Sequence, residues 1–301
     1  MTGVVEQAGC PACGGSRIAS RGPWSESGYG MMECLDCTLL WADPLRGEPD
    51  LYGDAYQTDG AYAAELELAE RVKAGKGHRA FGWPYRVLIR SVAGWRGVGR
   101  GGVQGRFFEA GPRGRFFEVG CGAGYFVEHM RRQGWHASGC DVSGSAIRAA
   151  RRLFSLELGH TDFNDRAVED RSIDLLAAFE VIEHLADPVG FLRTVERKLK
   201  PGGCAFVSTP NASSGWPLAW KREKSVLPPY HLTVFSERSL GAAARAAGLE
   251  VEAFIQKPVP YRYEFHEQDY SRFRLALEAL KAYATGVKGV TLVAVLRSQG
   301  G

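Results

Sequence analysis

No run of about 18 consecutive apolar residues occurs in this sequence, so nothing in it is long enough to cross a bilayer as a single helix. The opening MTGVVEQAGCPACGG lacks the charged-then-apolar layout of a secretory leader. Both absences predict a cytoplasmic protein with no membrane partner. Net charge is small at +3, which by itself names no partner. Internal repetition is missing as well: GRFFEAG at 105–111 and GRFFEVG at 114–120 echo each other, but two copies do not make a repeat architecture.

What is present suffices for a sizeable core. With 301 residues and 45% hydrophobic content, the chain can build one large α/β domain and a smaller module. Its charge is unevenly spread. From Arg71 to Arg115 there are eleven Lys or Arg residues against one acid, Glu109. Such a segment either faces an anionic partner such as RNA or is a solvated helix and loop.

Four of the seven cysteines form two pairs, Cys10-Pro-Ala-Cys13 and Cys34-Leu-Asp-Cys37. Each pair can offer two thiolates to one ion, and the residues between the pairs allow a hairpin to bring them together, as a tetrahedral Zn²⁺ site requires. Four protein ligands leave no open position, so this zinc is expected to be structural. Disulfides need an oxidising compartment, and a redox pair needs a βαβ context that is missing here. Cys121, Cys140 and Cys204 read as small core residues.

The organisation that follows is a zinc-ribbon-like module over 1–45, a connector over 46–108 and a large domain over 109–301. The connector carries a helix at 61–77, a second at 85–92 and the Gly- and Arg-rich stretch 94–115. From Arg115 the pattern alternates: strands at 115–120, 136–143, 155–160, 173–181 and 204–209, with helices at 125–134, 145–154 and 188–199 between them. Such alternation predicts a Rossmann-like, mainly parallel sheet with helices on both faces. A helix at 237–248, capped by Ser236, a strand at 249–255, a helix over 269–284 and a final strand at 291–297 complete the domain. A lid is expected over about 256–288.

Glu118-Val-Gly120-Cys-Gly122-Ala-Gly124 closes the first strand and opens a helix, so a nucleotide-type ligand can approach its backbone. Asp141, ending the next strand, is placed to accept hydrogen bonds from a ribose diol. The spacing GxGxG departs from the dehydrogenase fingerprint GxGxxG, which leaves a dinucleotide enzyme as a minor reading.

With Asp162-Phe163, FEVIEHLADP at 179–188 and LKPGG, these features resemble the class I S-adenosylmethionine-dependent methyltransferases over about residues 109–255. The resemblance implies Gly120, Gly122 and Gly124 around the methionine portion of S-adenosylmethionine, Asp141 on the ribose, and Asp162 with Phe163 beside the adenine. It also implies Glu118 positioning the amino group or loop, and Glu180 beside the donor. Asp162 also reads as an ordinary surface acid.

Glu180, Glu183 and His184 are expected to leave a strand into a helix and converge on one face. Ser208-Thr-Pro-Asn211 and His231 follow. ExxEH, STPN and HxxxF together resemble small-RNA 2'-O-methyltransferases and ubiquinone-pathway O-methyltransferases, in which the matching residues bind a divalent cation. That implies Glu180, Glu183, His184 and His231 as ligands of Mg²⁺ or Mn²⁺, with Glu183, His184 and His231 catalytic. A metal-free acid/base pair and a structural hydrogen bond are competing readings. Trp216, Trp220, Tyr230, Tyr261, Tyr263 and His266 are candidate lining for an acceptor pocket.

The cysteine module also resembles those of sugar and natural-product methyltransferases. The expected activity is methyl transfer, foremost to an oxygen of a small molecule or sugar-containing natural product. Alternatives are an RNA methyltransferase using Arg90, Arg96, Arg100, Arg106, Arg113 and Arg115, and a non-catalytic protein that binds a nucleotide ligand.

Overall fold

The computed structural model describes residues 9–24, 28–47, 60–75, 81–92, 114–163, 168–214, 228–256 and 289–299. Strands β1 (Ile18–Pro23), β2 (Gly30–Cys34) and β3 (Leu40–Asp43) form an antiparallel meander. Helices α1 (Gly60–Lys73) and α2 (Trp83–Val92) follow. The large sheet then starts with β4 (Arg115–Val119), α3 (Tyr125–Arg132), β5 (His136–Asp141), α4 (Gly144–Phe154), β6 (Gly159–His160) and β7 (Ile173–Phe179). After it come α5 (Pro188–Lys198), β8 (Leu199–Pro210), β9 (Thr233–Val234), α6 (Glu237–Ala246), β10 (Leu249–Gln256) and β11 (Thr291–Ser298).

Seven strands are ordered β10-β11-β8-β7-β4-β5-β6. From β8 to β6 every pairing is parallel, while β11 runs antiparallel to both its neighbours. Strand order reverses at β4, which pairs with β5 on one side and β7 on the other, so a crevice opens beyond its carboxyl end. In β7 the sequence IDLLAAF is apolar on both faces because helices cover both: Leu175, Ala177 and Phe179 pack toward one helical layer, Leu176 and Ala178 toward the other. Helix ends are fixed locally. Asp187 accepts from the Gly190 N–H at 2.8 Å ahead of α5, and Ser236 with Ser239 forms a capping box ahead of α6.

Three expectations are corrected. The strand expected at 155–160 shrinks to Gly159–His160, because Ser155 at φ 56° is still turning the chain off α4. The chain after β7 enters a three-residue 3-10 turn, Ile182–His184, rather than an α-helix. The last strand before the acceptor loop begins at Leu199, five residues earlier than expected. The helix at 269–284, the lid apart from Gln256, and most of the stretch 94–115 lie outside the described residues.

The small sheet gains a fourth strand from far along the chain. Its order is β1-β2-β3-β9, with Leu40 opposite Val234 and Trp41 opposite Thr233. Cys10, Cys34, Leu39 and Trp41 share one apolar cluster with Phe235 and Leu240, and the Thr38 hydroxyl lies 2.7 Å from that of Ser236. The cysteine module is therefore packed onto the large sheet's α6 side.

Candidate functional site

The turn after β4 reverses tightly: Gly120, Gly122 and Gly124 all have positive φ, at 69°, 51° and 74°. At Gly120 any side chain is excluded twice, by its backbone conformation and by Val181 Cγ2, which would lie 2.7 Å from a Cβ. This leaves the backbone bare at the carboxyl end of the sheet. Asp141 closes the crevice's second side. Its Oδ2 accepts from Gly122 N–H at 2.8 Å and its Oδ1 from Ser143 N–H at 2.7 Å. Each oxygen keeps a lone pair for a further donor. Burial pushes the Asp141 pKa up, and those two amide bonds oppose the shift. Glu118 is buried at the end of β4, Asp162 is exposed beyond β6, and the Phe163 ring lies 5.7 Å from that of Phe117. The residues present thus fit an adenosyl ligand: a bare glycine turn and a carboxylate already held in place by main-chain donors.

Across the reversal point, β7 ends at Phe179 and Glu180 takes φ 54°, an uncommon conformation for a residue with a side chain. A serine holds it there. Glu180 N–H donates to Ser208 Oγ at 3.1 Å, and Ser208 Oγ donates to Glu180 Oε1 at 2.7 Å. The 3-10 turn then directs Glu183 inward and His184 beside it, with His184 Nε2 3.9 Å from Glu183 Oε1. The His231 ring stands 4.7 Å from that of His184. One ligand atom from each of Glu183, His184 and His231 lies within 4.8 Å of the other two. Glu180 borders that group: its Oε1 accepts from Ser208 and its carboxyl interacts with that of Glu183, while the three residues with mutually close ligand atoms are Glu183, His184 and His231.

The electrostatics of this cluster are unusual. Glu183 is fully buried, yet neither carboxylate oxygen reaches hydrogen-bond geometry, and the same holds for His231 Nδ1 and Thr209 Oγ1. Thr209 lies close enough to favour the Glu183 carboxylate without making a bond to it. An unmet buried polar atom costs about 1–3 kcal/mol, so several around one point call for a ligand. Burial, first of all, pushes the Glu183 carboxyl up to about 8. Glu180 is shifted in the same direction, by desolvation of its carboxyl and then by the Glu183 charge, although the residue as a whole is exposed. Burial depresses His184, and it lowers His231 to about 3. Neutral imidazoles have the free lone pair that a cation takes. Two orphaned carboxylate oxygens and two imidazoles fit a divalent ion.

The second metal-type group is the module's. Cys10 and Cys37 sulfurs are 3.4 Å apart and Cys13 and Cys34 sulfurs 3.6 Å, far beyond a disulfide bond. Four thiolates about 2.3 Å from one Zn²⁺ stand ~3.8 Å from each other, so the spacing is compatible with zinc. Ala12, Gly15 and Cys37 N–H groups donate to the sulfurs of Cys10, Cys13 and Cys34, which favours the thiolate form.

Three residues at the site have parts that the sequence does not single out: Tyr230 is expected as pocket lining through its ring, Thr209 only within STPN, and Tyr85 not at all. Tyr230 acts through its carbonyl, which any residue supplies. Tyr85 of α2 places its ring 4.6 Å from Phe179 and its hydroxyl 3.0 Å from that of Tyr125, beside the glycine turn. Trp216, Trp220, Tyr261, Tyr263, His266, Arg96, Arg100, Arg106 and Arg113 lie outside the described residues. Arg115 begins β4, at the edge of the sheet opposite the crevice, 3.6 Å from Glu169.

Comparison with known proteins agrees with this geometry. A family model described as a methyltransferase domain matches residues 102–253, just over half of the chain. The ubiquinone biosynthesis O-methyltransferase of Xylella fastidiosa strain 9a5c is 38% identical over 98 residues, covering 30% of this chain and 39% of that protein. That of Pseudomonas aeruginosa is 33% identical over 149 residues, 45% of this chain and 64% of its own. The matched region thus spans less than two thirds of these relatives. Among solved structures, a Streptomyces coelicolor geranyl diphosphate C-methyltransferase, in complex with Mg²⁺ and S-adenosyl-L-homocysteine, matches with TM-score 0.52 and 16% identity. It covers 77% of this chain and 81% of its own. A chain from the complex of the Haloferax volcanii Trm112 methyltransferase activator with a methyltransferase matches with TM-score 0.53 and 21% identity, over 81% and 96%. Sheet order, glycine turn, strand-end aspartate and family model converge: the chain belongs to the class I S-adenosylmethionine-dependent methyltransferases.

Proposed function

We propose that this protein moves the methyl group of S-adenosylmethionine to an oxygen of a small-molecule acceptor, in a site served by a divalent cation on Glu183, His184 and His231. One observation carries the reading: both oxygens of buried Glu183 and the Nδ1 of His231 lack hydrogen bonds, with His184 completing a three-residue group. The similarity to ubiquinone biosynthesis O-methyltransferases supports oxygen as the acceptor atom.

The chain's own residues do most of the work. Gly120 to Gly124 present a bare backbone to the methionine portion, and Asp141 takes the ribose hydroxyls with lone pairs its amide bonds leave over. Glu180, its Oε1 bonded by Ser208, stands between the donor turn and Glu183, with which its carboxyl interacts. With a cation held by Glu183, His184 and His231, Glu183 would be ionised despite its burial, and the carboxylate oxygen left free of the ion would accept the acceptor's hydroxyl proton. The acceptor oxygen attacks the methyl carbon in line, the carbon–sulfur bond breaks, and its electron pair stays on sulfur. A bound cation supplies positive charge that favours the deprotonated acceptor. In the module, Cys10, Cys13, Cys34 and Cys37 hold a structural Zn²⁺.

The test uses labelled donor with a panel of hydroxylated small molecules, in Mn²⁺ and in chelator. Cation-dependent label on an acceptor oxygen supports the reading; full turnover in chelator removes the cation from it. Of the arginines in the RNA reading, two lie among the described residues: Arg115 stands at the sheet edge opposite the crevice, and Arg90 is exposed in the last turn of α2.

A further inference from the structure

We propose that the cysteine module is the positioning element of His231, so that zinc at Cys10, Cys13, Cys34 and Cys37 governs whether the catalytic cluster is assembled. The inference rests on the cluster described under the proposed function.

Its basis is a continuous set of short bonds from the knuckle to the histidine. Thr38 N–H donates to Cys34 O at 2.8 Å, and Cys34 N–H to Leu39 O at 2.9 Å, closing the second cysteine pair directly onto β3. β3 then pairs with β9, two residues beyond His231, and Ala42 N–H donates to Leu232 O at 2.8 Å. Leu232 in turn donates its N–H to Glu183 O at 2.8 Å. The residue next to His231 is therefore held from both sides, by the module and by the Glu183 turn. β9 has only two residues, and among the described residues β3 is the strand it pairs with; a single bridge from Phe235 to Asn211 ties its far end to β8, so on the His231 side the module supplies the strand partner. Trp24 seals the junction, packed in one buried cluster with Ala42, Leu232 and Val234. Nδ1 of the His231 ring has no hydrogen bond, so the ring's place is set by its contact with the His184 ring and by the backbone of this segment. The donor turn and Asp141 take no part in these contacts.

Loosening the module should thus disable one half of the site and spare the other. The protein is compared as purified, after zinc removal, and as Trp24→Ala and Trp24→Phe. Mn²⁺ affinity is read by electron paramagnetic resonance, S-adenosylhomocysteine binding by calorimetry, and the His231 imidazole by NMR. Removing zinc or Trp24 is expected to weaken Mn²⁺ binding about 10- to 100-fold, the range seen when supports of metal ligands are lost. Donor-product binding should persist, and Trp24→Phe should restore Mn²⁺ affinity. Unchanged Mn²⁺ affinity in the zinc-free protein overturns the proposal. If the purified protein binds no Mn²⁺, the cation reading fails instead, and the His231 resonance decides: movement on zinc removal upholds the positioning role, and no movement overturns it.

Discussion

The Nδ1–H of His184 donates to the backbone carbonyl of Tyr230 at 2.7 Å. A carbonyl accepts only from a protonated nitrogen, so this bond selects the tautomer whose Nε2 carries a lone pair, 3.9 Å from Glu183 Oε1. The ring is thereby set up as a ligand or acceptor, and not as a second donor. Replacing Glu183 with Gln or His184 with Ala should lower turnover by about 10²- to 10⁴-fold, as loss of a positioned acid/base group does. S-adenosylhomocysteine affinity should hold, because the donor turn and Asp141 lie on other strand ends. Calorimetry beside a labelled-donor assay separates the two effects.

The pH dependence of the cation-free protein follows from the same cluster. Folded Glu183, fully buried, has its pKa pushed up to about 8 against 4.5 for the free carboxyl, so the folded state holds more protons and stability falls as pH rises through that window; exposed Glu180 shifts in the same direction. The depressed histidines act in the opposite sense, but only below their ordinary pKa of about 6.5. Between pH 6.5 and 8 the histidines no longer contribute and buried Glu183 leads, so the melting temperature should decline across it in chelator. Added Mn²⁺, binding the folded form, should reverse the decline. Melting curves at several pH values check both statements.

Much of this was legible in the sequence, and the exceptions have physical causes. Strand β4, the glycine turn and Asp141 are encoded locally, by an apolar run that must end in residues tolerating positive φ. The paired cysteines are likewise a spacing rule. Strand β9 was invisible because two residues have no period; Thr233 and Val234 are extended only because β3 pairs with them from almost two hundred residues away. The turn at Ile182–His184 read as a helix since ExxEH suits either form, and Glu180 at φ 54° broke the continuity that a shared helical face requires. His231 thus reached the cluster by tertiary pairing, not by local pattern.

Asp141 serves the loop as well as the ligand. Asp141→Asn keeps the shape but removes one acceptor from a group that holds Gly122 and Ser143 N–H. Hydrogen bonds to a charged group contribute about 1.5–3 kcal/mol, so donor-product affinity should fall ~10- to 150-fold. Retention of wild-type affinity would show that the ribose is held elsewhere.

Gly120 tests the turn itself. Gly120→Ala must carry a Cβ at φ 69° and 2.7 Å from Val181 Cγ2. A cost of about 1–3 kcal/mol in stability is expected, with loss of donor binding, and Val181→Ala in the same protein should recover part of it. Thermal melts of the two single variants and the double variant measure the coupling.

The central claim is that an adenosyl sulfonium donor lies across the turn after β4 with its sugar on Asp141. Titrating S-adenosylhomocysteine into the purified protein tests it most directly. The account predicts one saturable site per chain, weakened in Asp141→Asn and insensitive to chelator; absence of any heat of binding would contradict it.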